Sequence, residues 1–198
     1  MIASIGADHR LKHFITRNLE LNNATFQVYD LGHLNLGTPL TLKKDDLVWQ
    51  NGKFAPCLYR FDMIRDTLKT HDFAVILDGD TIVRKPIPLT PDFDLAVTVR
   101  KKEEWRPKRP EGKINLGVCF ITKTILPFLD HWEELAQDLG DQHALNTLIE
   151  DKIDKREGII KTQGITIRLL KTEEYNDYYL TGNSYIEHYK AHLKKKFK

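Results

Sequence analysis

The sequence predicts an α/β protein, on three observations. Hydrophobic residues recur at strand-like and helix-like spacings in alternation along the 198 residues, the pattern of strands connected by helices. The unbroken apolar run Phe73-Ala74-Val75-Ile76-Leu77 has the length and character of a strand buried on both faces. With 41% hydrophobic and 29% charged residues, residues 1–198 have the composition of one globular domain, large enough to bury a core without disulfides or a structural metal.

Met1 to Ile5 is the first expected strand. Leu11, Phe14, Ile15 and Leu19 recur at helical spacing, and Phe26 to Leu31 forms a second strand ending at Gly32. From Asn35 to Gly52 the chain reads as irregular, given Gly37, Pro39 and the Asn51-Gly52 turn pair. A helix is expected from Pro56, a favoured first helical residue, with Leu58, Phe61, Ile64 and Leu68 on one face. It delivers the chain into the apolar strand. Leu95 to Val99 and Val118 to Ile121 are further strands, separated by the polar stretch Lys101 to Lys113 with Trp105, Pro107 and Pro110. That stretch suits a lid or substrate-contacting loop as well as a surface excursion. Helices are expected over Ile125 to Leu139, with Trp132 and Leu135 on the buried side, and from Gln142 to about Lys152. Thr166 to Leu170 resumes as a strand, and no repeat, low-complexity block or linker divides the chain.

Thirty basic residues against 28 acidic ones leave a net charge of +2, too small to make nucleic acid the expected partner. Lys190, Lys194, Lys195, Lys196 and Lys198 crowd the end of the sequence. They read as a solvated tail, or as the place where a longer natural chain was cut. Cys57 and Cys119 are the only cysteines and sit among apolar neighbours, which suits buried thiols in a reducing compartment better than a disulfide or zinc site. No basic stretch followed by about 7–15 apolar residues opens the sequence, and no run is long enough to span a bilayer. The expected location is therefore cytoplasmic, without a membrane span. The oligomeric state is not legible at this level.

The main functional signal is Asp78-Gly79-Asp80, which closes the apolar strand. Two carboxylates one residue apart at the carboxyl end of a strand can share a divalent cation, in the crevice where open α/β sheets collect ligands. Oxygen ligands suit Mg²⁺ or Mn²⁺, whose remaining positions a diphosphate can fill. A plain β-turn accounts for the same residues, Asp-Gly being a favoured turn pair. No Gly-x-Gly-x-x-Gly follows the first strand and no Gly-x-x-x-x-Gly-Lys-Ser/Thr occurs, so a glycine-rich cradle is not the sole phosphate holder. No Gly-x-Ser-x-Gly elbow supports serine chemistry.

Three further segments strengthen the signal. Asn115-Leu116-Gly117-Val118-Cys119-Phe120 sets an amide and a glycine ahead of a strand, where backbone can approach a ligand closely. Asp141-Gln142 follows Gly140 and opens a helix, so its side chains can cap that helix and face the same crevice. His188-Tyr189-Lys190-Ala191-His192-Leu193-Lys194 gathers imidazole and ammonium groups. Each has a bland counterpart: Asn115 as a turn residue, Asp141 as an N-cap, His188 as a surface histidine.

In this order the segments resemble the GT-A glycosyltransferases, and among them the family 8 group that includes glycogenin and bacterial lipooligosaccharide galactosyltransferases. Ile76-Leu77-Asp78-Gly79-Asp80-Thr81-Ile82-Val83 matches the group's apolar strand running into Asp-x-Asp, a threonine and an apolar pair. Asn115-Leu116-Gly117-Val118 matches Asn-Ser-Gly-Val, and Asp141-Gln142-His143-Ala144-Leu145-Asn146 matches an Asp-Gln helix opening with Leu-Asn. His188, Tyr189, Ala191 and Lys194 fall at the spacings of the closing His-Phe-x-Gly-x-x-Lys. Leu116 stands for the serine, Ala191 for the glycine, and the Pro-Trp that follows the last lysine is absent. The resemblance implies a GT-A fold with a central, mostly parallel mixed sheet flanked by helices. The chain also resembles, on no motif of its own, the amino-terminal domain of a chlorella-virus glycosyltransferase acting on capsid glycans; a viral chain would work in the host cytoplasm.

The same resemblance implies transfer of a hexose from a nucleotide-diphosphate sugar to a glycan or protein-linked acceptor, with Mn²⁺ or Mg²⁺ bound. A UDP-linked donor such as UDP-glucose is favoured. Asp78, Asp80 and His188 are the expected metal ligands. Gly6, Asp8, Asn115 and Lys194 join the two aspartates on the donor side, Lys194 adding positive charge at the leaving phosphate. Arg60, Asp141 and Gln142 are the expected catalytic set, with Asp141 at the sugar's reactive face and Gln142 orienting sugar or nucleophile. Retention of anomeric configuration is implied, while the residues themselves leave inversion open. Trp49, Trp105, Tyr178 and Tyr179 either stack on acceptor sugars or pack loops onto the core. Two other readings stay open: a non-catalytic sugar-nucleotide-binding module, given Leu116 and Ala191, and a metal-dependent phosphohydrolase of haloacid-dehalogenase type, with Gly140-Asp141 as its later acidic motif.

Overall fold

The strands and helices follow the alternation of the hydrophobic periods. The computed structural model describes residues 2–7, 14, 17–18, 26–30 and 56–189, with the backbone alone at 2–7, 26–30 and 56–59. In chain order the elements are β1 (Ile2–Ala7), β2 (Phe26–Asp30), α1 (Pro56–Thr70), β3 (Phe73–Asp78), β4 (Thr81–Val83), β5 (Leu95–Val99), β6 (Ile114–Thr122), α2 (Leu126–Leu139), α3 (Asp141–Ile149), β7 (Gly158–Thr162), β8 (Ile165–Lys171), α4 (Thr172–Tyr175) and β9 (Ile186–His188). The main sheet is mixed, in the order β2-β1-β3-β6-β5-β8-β7, and β4 pairs with β9 in a separate ribbon. β1 runs parallel to both β2 and β3, β5 runs parallel to β8, and β6 lies antiparallel between β3 and β5. β7 closes the far edge antiparallel to β8.

β3 lies inside the sheet, between β1 and β6, because it is apolar on both sides. Ala74 and Ile76 enter the core beneath the helices, whereas Val75 and Leu77 enter a second core on the opposite face. Removing such a side chain from water contributes about 1.5–3 kcal/mol. The first core is closed by α1, α2 and α3, whose Phe61, Ile64, Leu68, Trp132 and Leu145 are buried against Ile76, Val97, Cys119 and Ile167 of the sheet. Phe61 meets Trp132 edge-on with ring centroids 5.1 Å apart, a favourable arrangement of the ring quadrupoles. Among the described residues, no long helix covers the second core. Phe93, Tyr175, Tyr185 and Ile186 cover Phe120 and Leu170 instead, so the chain after β8 must fold back across this face, and it brings β9 with it.

The expected strands and helices from Pro56 to Lys171 are present, with bounds moved by a few residues. The helix expected to run to Lys152 ends at Ile149 and continues as a 3₁₀ turn over Glu150–Lys152. β6 is the larger change: it starts at Ile114, so Asn115 and Gly117 lie inside a strand and not ahead of it. Of the first expected helix, Phe14, Arg17 and Asn18 are helical, and Phe14 packs with Ile82 and Tyr189. The rest of that helix, the irregular stretch from Asn35 to Gly52 with Trp49, the Cys57 side chain, Asp8 and the lysine-rich end including Lys194 and Ala191 lie outside the described residues. Cys119 is fully buried, as its apolar neighbours imply. No helix among the described residues is long and apolar enough to cross a membrane.

Candidate active site

The β3 strand delivers Asp78, and a turn at Gly79 brings Asp80 to the same side. Thr81 Oγ1 donates to the Asp78 carbonyl at 2.8 Å and fixes that turn. β4 then pairs antiparallel with β9, with Thr81 opposite His188, and the Tyr189 N–H donates to the Asp80 carbonyl at 2.8 Å. The histidine, remote in sequence, is thereby laid over the acidic pair. His188 Nε2 lies 3.2 Å from Asp80 Oδ1 and 3.9 Å from Asp78 Oδ2. Its Nδ1 is 2.8 Å from Asn176 Oδ1. On the other flank of β3, Gly6 of β1 pairs with Asp78.

An irregularity in β6 makes room for that histidine. Cys119 pairs with Val97 and Asn115 with Thr98, so Leu116, Gly117 and Val118 have no partners in β5. A bulge of this kind orphans backbone groups, which must find partners or cost about 1–3 kcal/mol each. Side chains supply them here. Gln142 Oε1 accepts from Leu116 N–H at 3.1 Å, and Asn115 Oδ1 accepts from Gly117 N–H at 3.0 Å. The Asn115 carbonyl receives Thr98 Oγ1–H at 2.6 Å. Gly117 itself faces the imidazole: a β-carbon there would sit 2.4 Å from His188 Cε1 and 3.1 Å from Asp78 Oδ2.

Arg60, near the start of α1, ties two carboxylates together. Its Nε donates to Asp141 Oδ2 at 2.6 Å and its Nη2 to Asp78 Oδ1 at 2.7 Å. Burial works against the guanidinium charge, but Asp141 and Asp78 more than offset it and hold the Arg60 pKa above its ordinary value. Asp141 is the first residue of α3, following Gly140 at φ 81°; its Oδ1 accepts from the Gln142 N–H at 2.7 Å, and its carbonyl accepts Trp132 Nε1–H at 2.8 Å. Cys119 lies beside this cluster. Burial pushes its thiol up to about 11, with Arg60 pulling the other way, so it is an inert neighbour and not a nucleophile.

Asp78, Asp80, His188, Arg60 and Asp141 thus form one connected group, joined through Gly117 to Asn115 and through Leu116 to Gln142. The Gln142 amide is engaged at both ends, since Nε2 donates to the Pro110 carbonyl at 3.1 Å. The Asn115 amide nitrogen is buried and has no hydrogen-bond partner among the described residues. Trp105, Tyr178 and Tyr179 pack protein against protein. Trp105 Nε1 donates to the Arg100 carbonyl at 2.9 Å, with Lys113 Nζ 4.8 Å from the ring centroid. Both tyrosine hydroxyls donate to Glu104 Oε2. Burial would raise the Glu104 pKa, yet these two bonds hold it below its usual value. Thr98 and Asn176 are site residues that sequence reasoning missed. Thr98 left one trace, a lone hydroxyl in the buried run Leu95 to Val99.

The donor set fits a divalent cation. Ligand atoms of Asp78, Asp80 and His188 all lie within 4.8 Å of one another, and two carboxylates with an imidazole suit Mn²⁺, with Mg²⁺ accommodated by the oxygens.

Fold and site together define a GT-A glycosyltransferase fold. A glycosyltransferase involved in the glycosylation of the major capsid of PBCV-1 superposes with a TM-score of 0.62 at 14% identity, over 98% of this chain and 96% of its own. The galactosyltransferase LgtC, solved with donor and acceptor sugar analogs, gives 0.55 at 16% identity over 96% of this chain and 87% of its own. GlyE of Streptococcus pneumoniae TIGR4 gives 0.60 at 19% identity over 95% of this chain, which spans 54% of GlyE. No family model matches the sequence, and comparison with curated proteins gives no match.

Proposed function

We propose that this chain is a glycosyltransferase that moves a hexose from a nucleotide-diphosphate sugar, favourably a UDP-sugar of the UDP-glucose kind, to a glycan or protein-linked acceptor. The observation that carries this reading is the convergence of ligand atoms of Asp78, Asp80 and His188 within 4.8 Å at the carboxyl end of β3, an interior strand of a GT-A fold. A divalent cation bound by these residues would supply positive charge to the diphosphate oxygens as the sugar bond breaks.

The chain's own residues do the rest. Arg60 holds Asp141 and Asp78 on one guanidinium, so the carboxylate assigned to the sugar and one assigned to the cation keep a constant separation. Asp141 stabilises positive charge at the sugar's reacting carbon or attacks it in a retaining reaction, whereas an inverting one would need a carboxylate to deprotonate the acceptor from the opposite face. Gln142 orients the reactants through the bulge it supports at Leu116. Gly6, Asp8, Asn115 and Lys194 make up the donor side by the motif resemblance, and the pairing of Gly6 with Asp78 supports that assignment for the first strand.

The test is release of UDP from UDP-glucose and related donors, with Mn²⁺ or a chelator, with and without oligosaccharide acceptors. The expected result is Mn²⁺-dependent release that an acceptor accelerates. Release of inorganic phosphate from a generic phosphoester would favour the phosphohydrolase, and donor binding without release or transfer the binding module. Asp141→Asn should lower turnover by about 10²–10³; near-normal turnover would remove Asp141 from the mechanism.

A further inference from the structure

The buried polar groups behind His188 admit one arrangement of protons. The Asn115 carbonyl at the β6 bulge is an acceptor only, and Thr98 Oγ1 donates its proton to it at 2.6 Å. Asn176 Nδ2 lies 2.9 Å from Thr98 Oγ1 and 3.2 Å from the same carbonyl. Both of these atoms have lone pairs to offer and no proton left, so the end of the Asn176 amide that faces them must be the nitrogen. The opposite end, Oδ1, is then fixed at 2.8 Å from His188 Nδ1. An amide oxygen can only accept, so Nδ1 carries the proton. The neutral ring consequently has its lone pair on Nε2, the atom that faces Asp80 and Asp78.

These groups are dry: Thr98 and Asn176 are 0%, Asn115 3% and His188 6% exposed. Water offers little competition, and an inverted amide would set its oxygen against two acceptors, Thr98 Oγ1 and the Asn115 carbonyl, with no proton between them. The same Asn115 residue lends its side chain to Gly117 N–H, the position that gives the imidazole its space. Asn176 itself is held by the α4 turn, where its N–H donates to the Thr172 carbonyl at 2.9 Å.

We propose that Asn176 is a positioning residue that commits His188 to the Nδ1–H tautomer and so aims the Nε2 lone pair at a divalent cation shared with Asp78 and Asp80. The proposal rests on the metal reading above and adds to it the device that makes His188 a ligand and not a hydrogen-bond donor to the aspartates. The group that accepts the other ring N–H of a metal-binding histidine is generally worth about 10–100-fold in metal affinity.

Long-range ¹H–¹⁵N correlation of metal-free, ¹⁵N-histidine-labelled protein, recorded at a pH where the rings are neutral, reads the tautomer directly, with His188 assigned by His188→Gln. The expected wild-type signal is a protonated Nδ1 and a bare Nε2. Asn176→Leu should shift the ring toward Nε2–H and weaken Mn²⁺ binding about 10–100-fold by titration, while Asn176→Asp, which keeps an oxygen at Nδ1, should retain the Nδ1–H pattern. A merely structural role would not separate these two variants. An Nε2–H tautomer in the wild type would overturn the proposal without any variant having to fold. So would unchanged tautomer and Mn²⁺ affinity in Asn176→Leu. A wild-type protein with the expected tautomer that binds no Mn²⁺ would instead contradict the metal reading.

Discussion

His188 Cε1 occupies the space that a side chain at Gly117 would need, since a β-carbon there would lie 2.4 Å away. Two segments that look independent in the sequence, Asn115-Leu116-Gly117-Val118 and the stretch opening at His188, are the two sides of one contact. Gly117→Ala should displace the imidazole from Asp80, lower Mn²⁺ affinity at least about tenfold and cost about 1–3 kcal/mol of stability through overpacking. Manganese titration together with urea denaturation checks both effects.

Much of this arrangement was legible beforehand, and the parts that were not have a common cause. β3 could be read because Phe73 to Leu77 is apolar at every position, and α1 because Phe61, Ile64 and Leu68 recur at helical spacing. Asp78, Asp80, Asp141 and His188 could be singled out because ionisable residues at strand ends and helix starts are chemically conspicuous. β4 and β9, three residues each, carry no usable period; they exist because they pair with each other. The extension of β6 back to Ile114 depends on Gln142, Thr98 and Asn176 satisfying a bulge, and such long-range polar bookkeeping leaves no local pattern. Asn176 sits in a run of polar residues, where nothing marks it as buried.

Arg60 is the cation between Asp78 and Asp141. Arg60→Met should destabilise the fold by about 3 kcal/mol, the low end of the range for breaking a buried pair, because the Asp78 side chain is 37% exposed and water partly screens it. Arg60→Lys should recover part of the stability but little of the turnover, since an ammonium cannot reproduce the two-sided fork. Denaturation midpoints set beside donor turnover will separate the two effects.

Gln142→Ala should leave the Leu116 N–H unpaired at the bulge and cost about 1–3 kcal/mol. Gln142→Glu keeps an acceptor for Leu116 but loses the bond to the Pro110 carbonyl, and should be the milder change. Amide exchange at Leu116 reports on this directly: faster exchange is expected in the alanine variant.

Glu173 gives the fold a defined acid response. Its hydrogen bonds from Arg156 hold its pKa down to about 2, against an ordinary 4.5. A depressed carboxyl stabilises the folded state above the unfolded value and loses that contribution as pH falls through the folded one. Glu173→Gln should therefore lower stability by about 1 kcal/mol at neutral pH, a figure reduced for solvent screening. The gap between variant and wild type should close as pH falls from about 4.5 to about 2. Urea denaturation across that range measures it.

The proposed function depends on a nucleotide-sugar site at Asp78, Asp80 and His188 that works through a divalent cation. Calorimetric titration of the protein with UDP-glucose, with and without Mn²⁺, alongside Asp80→Ala, tests it most directly. Binding that requires Mn²⁺ and is lost in the variant is expected. Failure of UDP-glucose and of a panel of other nucleotide sugars to bind in the presence of Mn²⁺, or binding that Asp80→Ala leaves intact, would contradict it.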